Sequence, residues 1–530
     1  MRPGRAARRL AARSAQGLRA AIARHALPRA PFFLRMRLDG SLPELSSRVR
    51  DRATPGSLLE ALLALDAAAR DPRVAGLLLE LGSSPSGWSG VQSLRRALQA
   101  LRARGKVVAV HAESLDASGL LLASAADRIW LPETGQLHLV GLRAESFYLH
   151  ELLSRLGVRA DVVRIGSHKT AAEVLTRSDM SPEQREQQEA LLDDLFASLV
   201  EGVAAGRGLT PEAVRALVDR GPFVARAAQE AGLVDACLYP DQIDAALAEL
   251  APARSDGPRA APRVDARVYA ALRPRSTFQL GGSADPGLAY VVAEGAISRG
   301  SGLRGVSADT LRACLDGLRE APEVRGVALR IESPGGDALA SDLLWRSVER
   351  LTREKPVVAT LGDVAASGGY YLACAADAIF AESGSLTGSI GVVGGKLDLS
   401  HLYRQLGVGR DGVERGARAG MLSEARPLRA DERSALRTGM AALYEAFVER
   451  VARGRHLAHD AVARAAEGRV WSGTRALEQG LVDALGGPLE ALRELGRRAG
   501  LAAGESTALR VLPRTASFAG LRSLLHWLRV

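Results

Sequence analysis

The sequence is poor in lysine, in cysteine, in aromatic residues and in long apolar runs. Four of its 70 basic side chains are lysines, Lys106, Lys169, Lys355 and Lys396, and the other 66 are arginines. Because arginine meets the general need for surface charge in this chain, each lysine raises the question of whether arginine could replace it there. A role that requires a neutral amine is one that arginine cannot fill.

The other absences exclude several classes of protein. Three widely spaced cysteines, Cys237, Cys314 and Cys374, predict free thiols and neither a disulfide framework nor a zinc site, and we expect no metal and no cofactor. No run of 18 consecutive apolar residues occurs, which predicts no transmembrane helix. A chain that is 47% hydrophobic and 25% charged is not disordered throughout, and its 530 residues predict more than one folding unit.

The positive charge is concentrated at the N-terminus. Residues 1–30 contain eight arginines and no acidic residue, which accounts for eight of the ten net positive charges. No aromatic residue interleaves this arm, so we expect no nucleic-acid partner. The arm is either a basic amphipathic helix on an anionic membrane surface or a disordered tail, and its arginines exclude a signal peptide. We therefore expect a peripherally membrane-associated or cytoplasmic protein.

The chain contains an internal repeat. Residues 107–130 align with residues 357–380 without a gap at an offset of 250, and ten of the 24 pairs are identical. In each half, short apolar runs alternate with amphipathic stretches, which predicts α/β repeats with mainly parallel sheets and flanking helices. The predicted division is a basic arm at 1–30, a first repeat at 31–250, a linker at 251–286, a second repeat at 287–500 and a tail at 501–530.

Local patterns predict individual elements. The apolar runs at 74–81 and 324–331 are typical of strands buried on both faces. Ser181, Pro182 and Gln184 predict the start of a long helix, with Ser181 and Gln184 forming a capping box. The apolar face of this helix would consist of Leu191, Leu192, Leu195, Phe196 and Leu199.

Two glycine motifs follow predicted strands of the second repeat. ESPGGD at 332–337 would present bare backbone N–H groups to a ligand. AASGGYY at 365–371 places Ser367 at the start of a helix, beside the N–H of Gly368. Ser367 is therefore a candidate nucleophile with an adjacent oxyanion hole, and the alternative is a serine that caps the helix.

A candidate base lies in the first repeat. At the 250-residue offset Ser367 faces Ala117, and Lys169 of the first repeat faces Ala419 of the second. This reciprocal pattern predicts one composite site to which both repeats contribute. Lysine acts as a general base only when neutral, and burial can lower its pKa from ~10.4 towards 7 or 8.

The sequence resembles the bacterial signal peptide peptidases of the protease IV type, in their long, two-repeat form. The resemblance covers about residues 33–500, and its motifs are SPGGD, RIGSHKTAAEV, the run at 365–395 and VWSGTRALEQGLVDALGG at 470–487. It implies a Ser–Lys serine protease with a fold related to Clp protease and the crotonases. It places the general base on Lys169, the nucleophile on Ser367, and the oxyanion hole on backbone N–H groups of Gly335 or Gly336 and of Gly368.

The resemblance also implies a function and partners. It implies a serine endopeptidase that degrades cleaved signal peptides or other unstructured apolar peptides, and a homo-oligomer, specifically a tetramer. Two alternatives are a crotonase-like acyl-CoA hydratase or isomerase and an inactive scaffold of the same fold. Thr387 and Ser389 could orient the lysine, but loop hydroxyls more commonly bond their own backbone. Lys106 and Lys355 are expected at the surface and Lys396 in a loop.

Overall fold

The computed structural model describes residues 27–28, 31–45, 51–85, 87–250, 262–272, 277–280, 287–302, 305–502 and 506–513. Apart from residues 27 and 28, the predicted basic arm lies outside the described residues, and so do parts of the predicted linker and tail. The predicted boundaries of the arm, repeats, linker and tail stay predictions.

Strands and helices alternate along the described chain. The strands are β1 Phe32–Asp39, β2 Val74–Ser83, β3 Val107–Ala112, β4 Ser114–Asp116, β5 Arg128–Leu131, β6 Gln136–His138, β7 Arg159–Ile165, β8 Phe223–Val224, β9 Ala236–Cys237, β10 Arg263–Asp265, β11 Phe278–Leu280, β12 Leu288–Glu294, β13 Ile297–Ser298, β14 Val306–Ser307, β15 Gly326–Ser333, β16 Val357–Ala366, β17 Ala378–Ala381, β18 Leu386–Gly388, β19 Val392–Asp398, β20 Val470–Ser472, β21 Ala484–Leu485 and β22 Thr507–Leu512. The α-helices are Leu58–Arg70, Trp88–Arg102, Ala117–Ala123, His150–Arg155, Glu173–Thr176, Pro182–Arg207, Pro211–Arg220, Ala225–Glu230, Ile243–Leu250, Ala266–Leu272, Ala308–Glu320, Ala338–Thr352, Gly368–Ala373, Ser400–Gln405, Ala430–Arg455, His459–Ala465, Gly473–Glu478 and Pro488–Arg498, with a 3₁₀ turn at Pro240–Gln242.

Each repeat contributes one large, mainly parallel sheet. The first sheet has the order β10-β1-β2-β3-β5-β9, with all neighbours parallel. The second follows β11-β22-β12-β15-β16-β17-β21, also with parallel neighbours. Strand β18 pairs parallel with the last residues of β16 and antiparallel with β20. The prediction of an α/β fold with mainly parallel sheets is confirmed.

The two repeats are joined by packing and by strand pairing. One apolar core includes Leu62 and Leu94 from the first repeat and Tyr290, Val358 and Leu492 from the second. Strand β7 of the first repeat pairs antiparallel with β19 of the second, from Arg159 opposite Asp398 to Ile165 opposite Val392. This pairing carries the residues after β7 across to the second repeat.

The long helix Pro182–Arg207 departs in part from its prediction. Ser181 caps it as predicted, because the Ser181 hydroxyl accepts a hydrogen bond from the Gln184 N–H at 3.1 Å. The capping box does not close, since the Gln184 side chain instead accepts a hydrogen bond from the Tyr148 hydroxyl at 2.8 Å. Of the predicted apolar face only Leu199 is fully buried, and the buried positions continue to Val200, Val203 and Ala204 towards the helix end.

Short strands occur within the ranges predicted as linker and tail. Strand β10 extends the first sheet and is followed by the helix Ala266–Leu272, while β11 and β22 extend the second sheet. Their few buried apolar residues lie among proline, glycine and arginine, so no periodicity marked them in the sequence. No helix in the described residues is both long and apolar enough to cross a membrane.

Candidate active site

Ser367 lies where β16 ends and the helix Gly368–Ala373 begins. Its backbone has φ 53° and ψ −118°, and a left-handed φ is uncommon for a residue other than glycine. The Ser367 N–H donates to the carbonyl of Gly388 at 2.8 Å, which holds this turn in place. The Ser367 side chain makes no hydrogen bond that caps the helix. The alternative interpretation of a capping serine is therefore wrong.

Lys169 follows β7, the strand that pairs with the second repeat. Lys169 is only 5% exposed, and its amine Nζ lies 3.0 Å from the Ser367 hydroxyl Oγ. The amine also donates to Ser389, at 2.9 Å to the hydroxyl and at 2.7 Å to the carbonyl oxygen. The structure thus brings Lys169 and Ser367 to hydrogen-bond distance within one chain.

The surroundings of the Lys169 amine favour its neutral form. Burial lowers the pKa of Lys169 to about 8, because the ammonium form loses its hydration there. Three serine oxygens lie within hydrogen-bond distance of the amine. A neutral amine donates its two N–H groups to the carbonyl and hydroxyl of Ser389 and turns its lone pair towards the Ser367 hydroxyl. These acceptors carry no full charge, so they compensate an ammonium less than a carboxylate would. A lysine with this pKa can accept a proton near neutral pH.

The two loop hydroxyls differ in their partners. The Thr387 hydroxyl does not face the lysine, because it donates to the backbone carbonyl of Ala365 in the neighbouring strand β16 at 2.7 Å. The Ser389 hydroxyl does not bond its own backbone either, because it and the Ser389 carbonyl both face Lys169. Its φ of 55° turns both groups towards the amine, and its N–H donates to the carbonyl of Arg469 at 2.7 Å. Ser389 thus completes the surroundings of the amine.

The glycines predicted for the oxyanion hole lie beside Ser367. A Cβ on Gly335 would lie 2.8 Å from the Ser367 Cβ and 2.7 Å from the Gly368 nitrogen, so only glycine fits there. The Gly335 N–H donates to the Ser333 hydroxyl at 3.2 Å. Among the described residues, the N–H groups of Gly336 and Gly368 donate to no protein acceptor. These two N–H groups are therefore the candidate donors of the oxyanion hole.

A carboxylate links the glycine loop to the strand that ends at Ser367. Glu332 precedes the loop, and its carboxylate accepts hydrogen bonds from the N–H groups of Asp363 at 2.6 Å and Val364 at 3.2 Å. The Asp363 carboxylate accepts from the N–H of Ser89 in the first repeat at 2.7 Å. Burial, and then the negative charge of Asp363, raise the pKa of Glu332 to about 7.

The equivalent position in the first repeat has no nucleophile. Ala117 begins the corresponding helix, and the Asp116 carboxylate accepts a hydrogen bond from the Gly119 N–H at 2.8 Å. Ser118 lies one residue beyond the equivalent position, and its hydroxyl donates to Asp116 and to the carbonyl of Pro85, each at 2.8 Å. In the second repeat the N-terminus of this helix lies at Ser367. In the first repeat the Asp116 side chain caps the equivalent N-terminus.

The other three lysines donate hydrogen bonds to backbone carbonyl oxygens. Lys106 donates to the carbonyls of Asp71, after the helix Leu58–Arg70, and of Val74 in β2. Lys355 donates to the carbonyls of Leu318 and Ala321 at the C-terminal end of the helix Ala308–Glu320. Lys396 donates to one backbone carbonyl, and it lies in strand β19. The predicted loop at Lys396 is therefore wrong, because pairing with β7 extends the chain there.

A serine at a strained turn, a buried lysine and two bare N–H groups are the components of a serine peptidase active site. The sequence pattern of Peptidase family S49 matches residues 100–254 and 349–502, and the chain belongs to this family. The double match also confirms the internal repeat. The chain is a serine-type peptidase, as predicted, while the roles of its individual residues stay predictions.

Two relatives with names that describe proteases support this assignment. The chain is 33% identical over 453 residues to "Serine protease SPPA, chloroplastic" of Arabidopsis thaliana, covering 84% of this chain and 66% of that protein. It is 30% identical over 450 residues to "Protease 4" of Haemophilus influenzae, covering 83% of this chain and 72% of that protein. A ClpP1 mutant from Listeria monocytogenes is similar at 14% identity with a TM-score of 0.27, covering 38% of this chain and 94% of that one.

Proposed function

We propose that this peptidase uses a Ser–Lys dyad, with Ser367 as nucleophile and Lys169 as general base. The observation that carries the proposal is the 3.0 Å distance between the Lys169 amine and the Ser367 hydroxyl. The pKa of about 8 supports it, because a base must be partly neutral at working pH. A crotonase-like acyl-CoA enzyme or a scaffold has no need of this contact.

The proposed reaction has two stages. Neutral Lys169 takes the proton of the Ser367 hydroxyl as Oγ bonds to the peptide carbonyl carbon. The N–H groups of Gly336 and Gly368 then hold the oxyanion, and a donor of this kind typically contributes about 3–4 kcal/mol. The Lys169 ammonium next protonates the leaving amine as the C–N bond breaks. A water then gives a proton to Lys169 and bonds to the acyl carbon. As the bond from this carbon to Ser367 Oγ breaks, the Lys169 ammonium returns the proton to Oγ, which restores the hydroxyl.

Unstructured apolar peptides, including remnants of cleaved signal peptides, are the proposed substrates. A relative from Enterococcus faecium, 35% identical over 179 residues, is named "Putative signal peptide peptidase SppA". That match covers 34% of this chain and 58% of the relative. The likeness supports the substrate class without fixing the cleavage preference.

We also propose a homo-oligomer, a tetramer by the resemblance, with peripheral membrane contact through residues 1–30 or a cytoplasmic location. The helices His150–Arg155 and Ser400–Gln405 bury no residue within the chain. Phe147 and Leu406 beside them are 79% and 66% exposed. Apolar surface of this extent supports a contact between copies.

The arginine-rich arm supports attraction to anionic lipid.

Substitution of the dyad tests the proposed mechanism. Ser367→Ala and Lys169→Ala should each abolish cleavage of an unstructured apolar peptide, while Ser118→Ala serves as the matched control. Lys169→Arg should be as inactive as Lys169→Ala, which separates proton transfer from positive charge. Wild-type rates in either alanine variant of the dyad would refute it. Hydration of an acyl-CoA without peptide cleavage would favour the crotonase-like alternative.

A further inference from the structure

A short segment of the second repeat, Glu467–Arg469, lies against the lysine of the first repeat. The His168 N–H donates to the Glu467 carbonyl at 2.7 Å, and the Ser167 N–H donates to the Glu467 carboxylate at 2.9 Å. Glu467 itself has a left-handed φ of 53°. The two residues immediately before Lys169 are thus bonded to both the backbone and the side chain of Glu467.

The same segment also forms hydrogen bonds with the backbone at Ser389, the residue that accepts hydrogen bonds from the Lys169 amine. The Ser389 N–H donates to the Arg469 carbonyl at 2.7 Å, and the Gly468 N–H donates to the Ile390 carbonyl at 2.8 Å. Residues 467–469 are therefore bonded to the backbone of the lysine on one side and to the backbone of Ser389 on the other. The spacing between the amine and Ser389 depends on this segment.

Gly468 is the residue of this segment that lies against the backbone of Lys169. A Cβ at this position would lie 2.5 Å from the Lys169 nitrogen, 2.6 Å from its Cβ and 2.7 Å from its Cα. These distances are too short for any side chain, and the atoms met belong to the backbone or its first carbon, which cannot rotate away. Gly468 also has a φ of 77°, so glycine fits both the conformation and the contact.

The side chain of Arg469 adds a further tie. Its guanidinium lies 2.6 Å from His168 Nε2 and donates to the Glu186 carboxylate at 2.7 Å. Glu186 belongs to the long helix Pro182–Arg207 of the first repeat. Both neighbours of Gly468 are therefore anchored in the first repeat, which keeps the glycine pressed against Lys169.

We propose that Gly468 is a positioning residue, whose bare α-carbon lets the segment 467–469 set the distance between the Lys169 amine and its serine partners. The inference rests on the Ser–Lys dyad proposed above. It goes beyond the dyad because it assigns the placement of the base to a part of the second repeat that touches no reacting atom.

The test is Gly468→Ala with Gly407→Ala as the matched control. Gly407 has a comparable φ of 69°, and among the described residues no atom lies within 4 Å of a Cβ built there. Both variants carry the backbone cost of alanine at positive φ, but only Gly468→Ala displaces Lys169. We expect Gly468→Ala to lower kcat at least tenfold with KM within twofold, and Gly407→Ala to keep both within twofold.

A second readout reports on the lysine itself. With only four lysines in the chain, the Cε resonance of Lys169 can be followed by NMR in protein labelled with [¹³Cε]lysine and assigned by its loss in Lys169→Ala. Opening the contact admits water to the amine, so the apparent pKa of Lys169 should rise in Gly468→Ala and stay unchanged in Gly407→Ala. A folded Gly468→Ala protein with the kcat and lysine titration of Gly407→Ala would overturn the inference.

Arg469→Gln keeps the test decisive if Gly468→Ala does not fold. It removes the guanidinium tie to His168 without crowding the backbone, and exposed Arg464→Gln is its control. We expect a two- to fivefold lower kcat with KM unchanged, and values equal to those of Arg464→Gln would overturn the inference. Activity retained in Lys169→Ala would instead refute the dyad, so the two failures are distinguishable.

Discussion

The hydroxyl of Ser389 accepts a hydrogen bond from the amine of Lys169 at 2.9 Å. The carbonyl of the same residue accepts a second one at 2.7 Å. One residue therefore fixes two directions of the amine, and the remaining direction points to the Ser367 hydroxyl at 3.0 Å. We therefore expect Ser389 to orient the amine of Lys169 towards Ser367.

Ser389→Ala should lower peptidase activity without abolishing it. The amine keeps the Ser389 carbonyl but loses one acceptor, and a hydrogen bond to a charged group contributes about 1.5–3 kcal/mol. We expect kcat to fall about 10- to 100-fold with KM nearly unchanged, as measured by steady-state peptide cleavage. Loss as complete as in Ser367→Ala would show that Ser389 does more than orient the amine.

Activity should rise with pH through the titration of Lys169. Burial lowers the pKa of Lys169 to about 8, so only about a tenth of the enzyme carries a neutral base at pH 7. The logarithm of kcat/KM should therefore increase with a slope near one below pH 8 and level off above it. A profile flat between pH 6 and 9 would mean that Lys169 is not the titrating base.

The pairing of Lys169 with Ser367 could be predicted because duplication leaves a record in the sequence. Each repeat kept the residue that the other replaced with alanine, at Ala117 and Ala419. The predicted helix start and the two glycine motifs then indicated the local surroundings of Ser367. The distance between Lys169 and Ser367 could not be predicted, because it depends on the pairing of strand β7 with strand β19.

The contacts of Gly468 could not be predicted from the sequence, and neither could the choice between Thr387 and Ser389 as partner of Lys169. They depend on left-handed turns and on backbone contacts between distant segments, such as the hydrogen bond from the His168 N–H to the Glu467 carbonyl. Backbone hydrogen bonds leave no residue pattern. The proposal of Gly336 over Gly335 as an oxyanion donor also required the structure, because it rests on the hydrogen bond from the Gly335 N–H to Ser333.

Glu332 should make stability depend on pH. Burial and the charge of Asp363 raise the pKa of Glu332 from 4.5 to about 7. A carboxyl whose pKa is higher in the folded state stabilises it fully below pH 4.5, and this contribution is lost as pH rises to about 7. The free energy of unfolding should fall over this window by at most about 3 kcal/mol.

Glu332→Gln removes this titration. The fall in unfolding free energy between pH 4.5 and 7 should become smaller in this variant, as measured by urea denaturation at several pH values. Glu212, whose side chain is 79% exposed, supplies the control Glu212→Gln. Parallel pH profiles for wild type and Glu332→Gln would show that the carboxyl titrates normally.

Arg96→Ala should destabilise the junction of the two repeats. The Glu382 side chain is 1% exposed, and it pairs with Arg96 and bonds to Ser93 of the first repeat. Removing Arg96 leaves a buried carboxylate without its cation, which typically costs about 3–5 kcal/mol. Arg143→Ala is the control, because the Arg143 side chain is 80% exposed and its pair with Glu145 should contribute about 0–1 kcal/mol.

The double variant Arg96→Ala/Glu382→Gln shows where that cost arises. If the uncompensated charge of Glu382 causes the loss, neutralising it should recover part of the stability, so the double variant should unfold at higher urea than Arg96→Ala alone. If instead Arg96 contributes mainly by packing, the second substitution should add to the loss. An unfolding midpoint of the double variant below that of Arg96→Ala would contradict the electrostatic explanation.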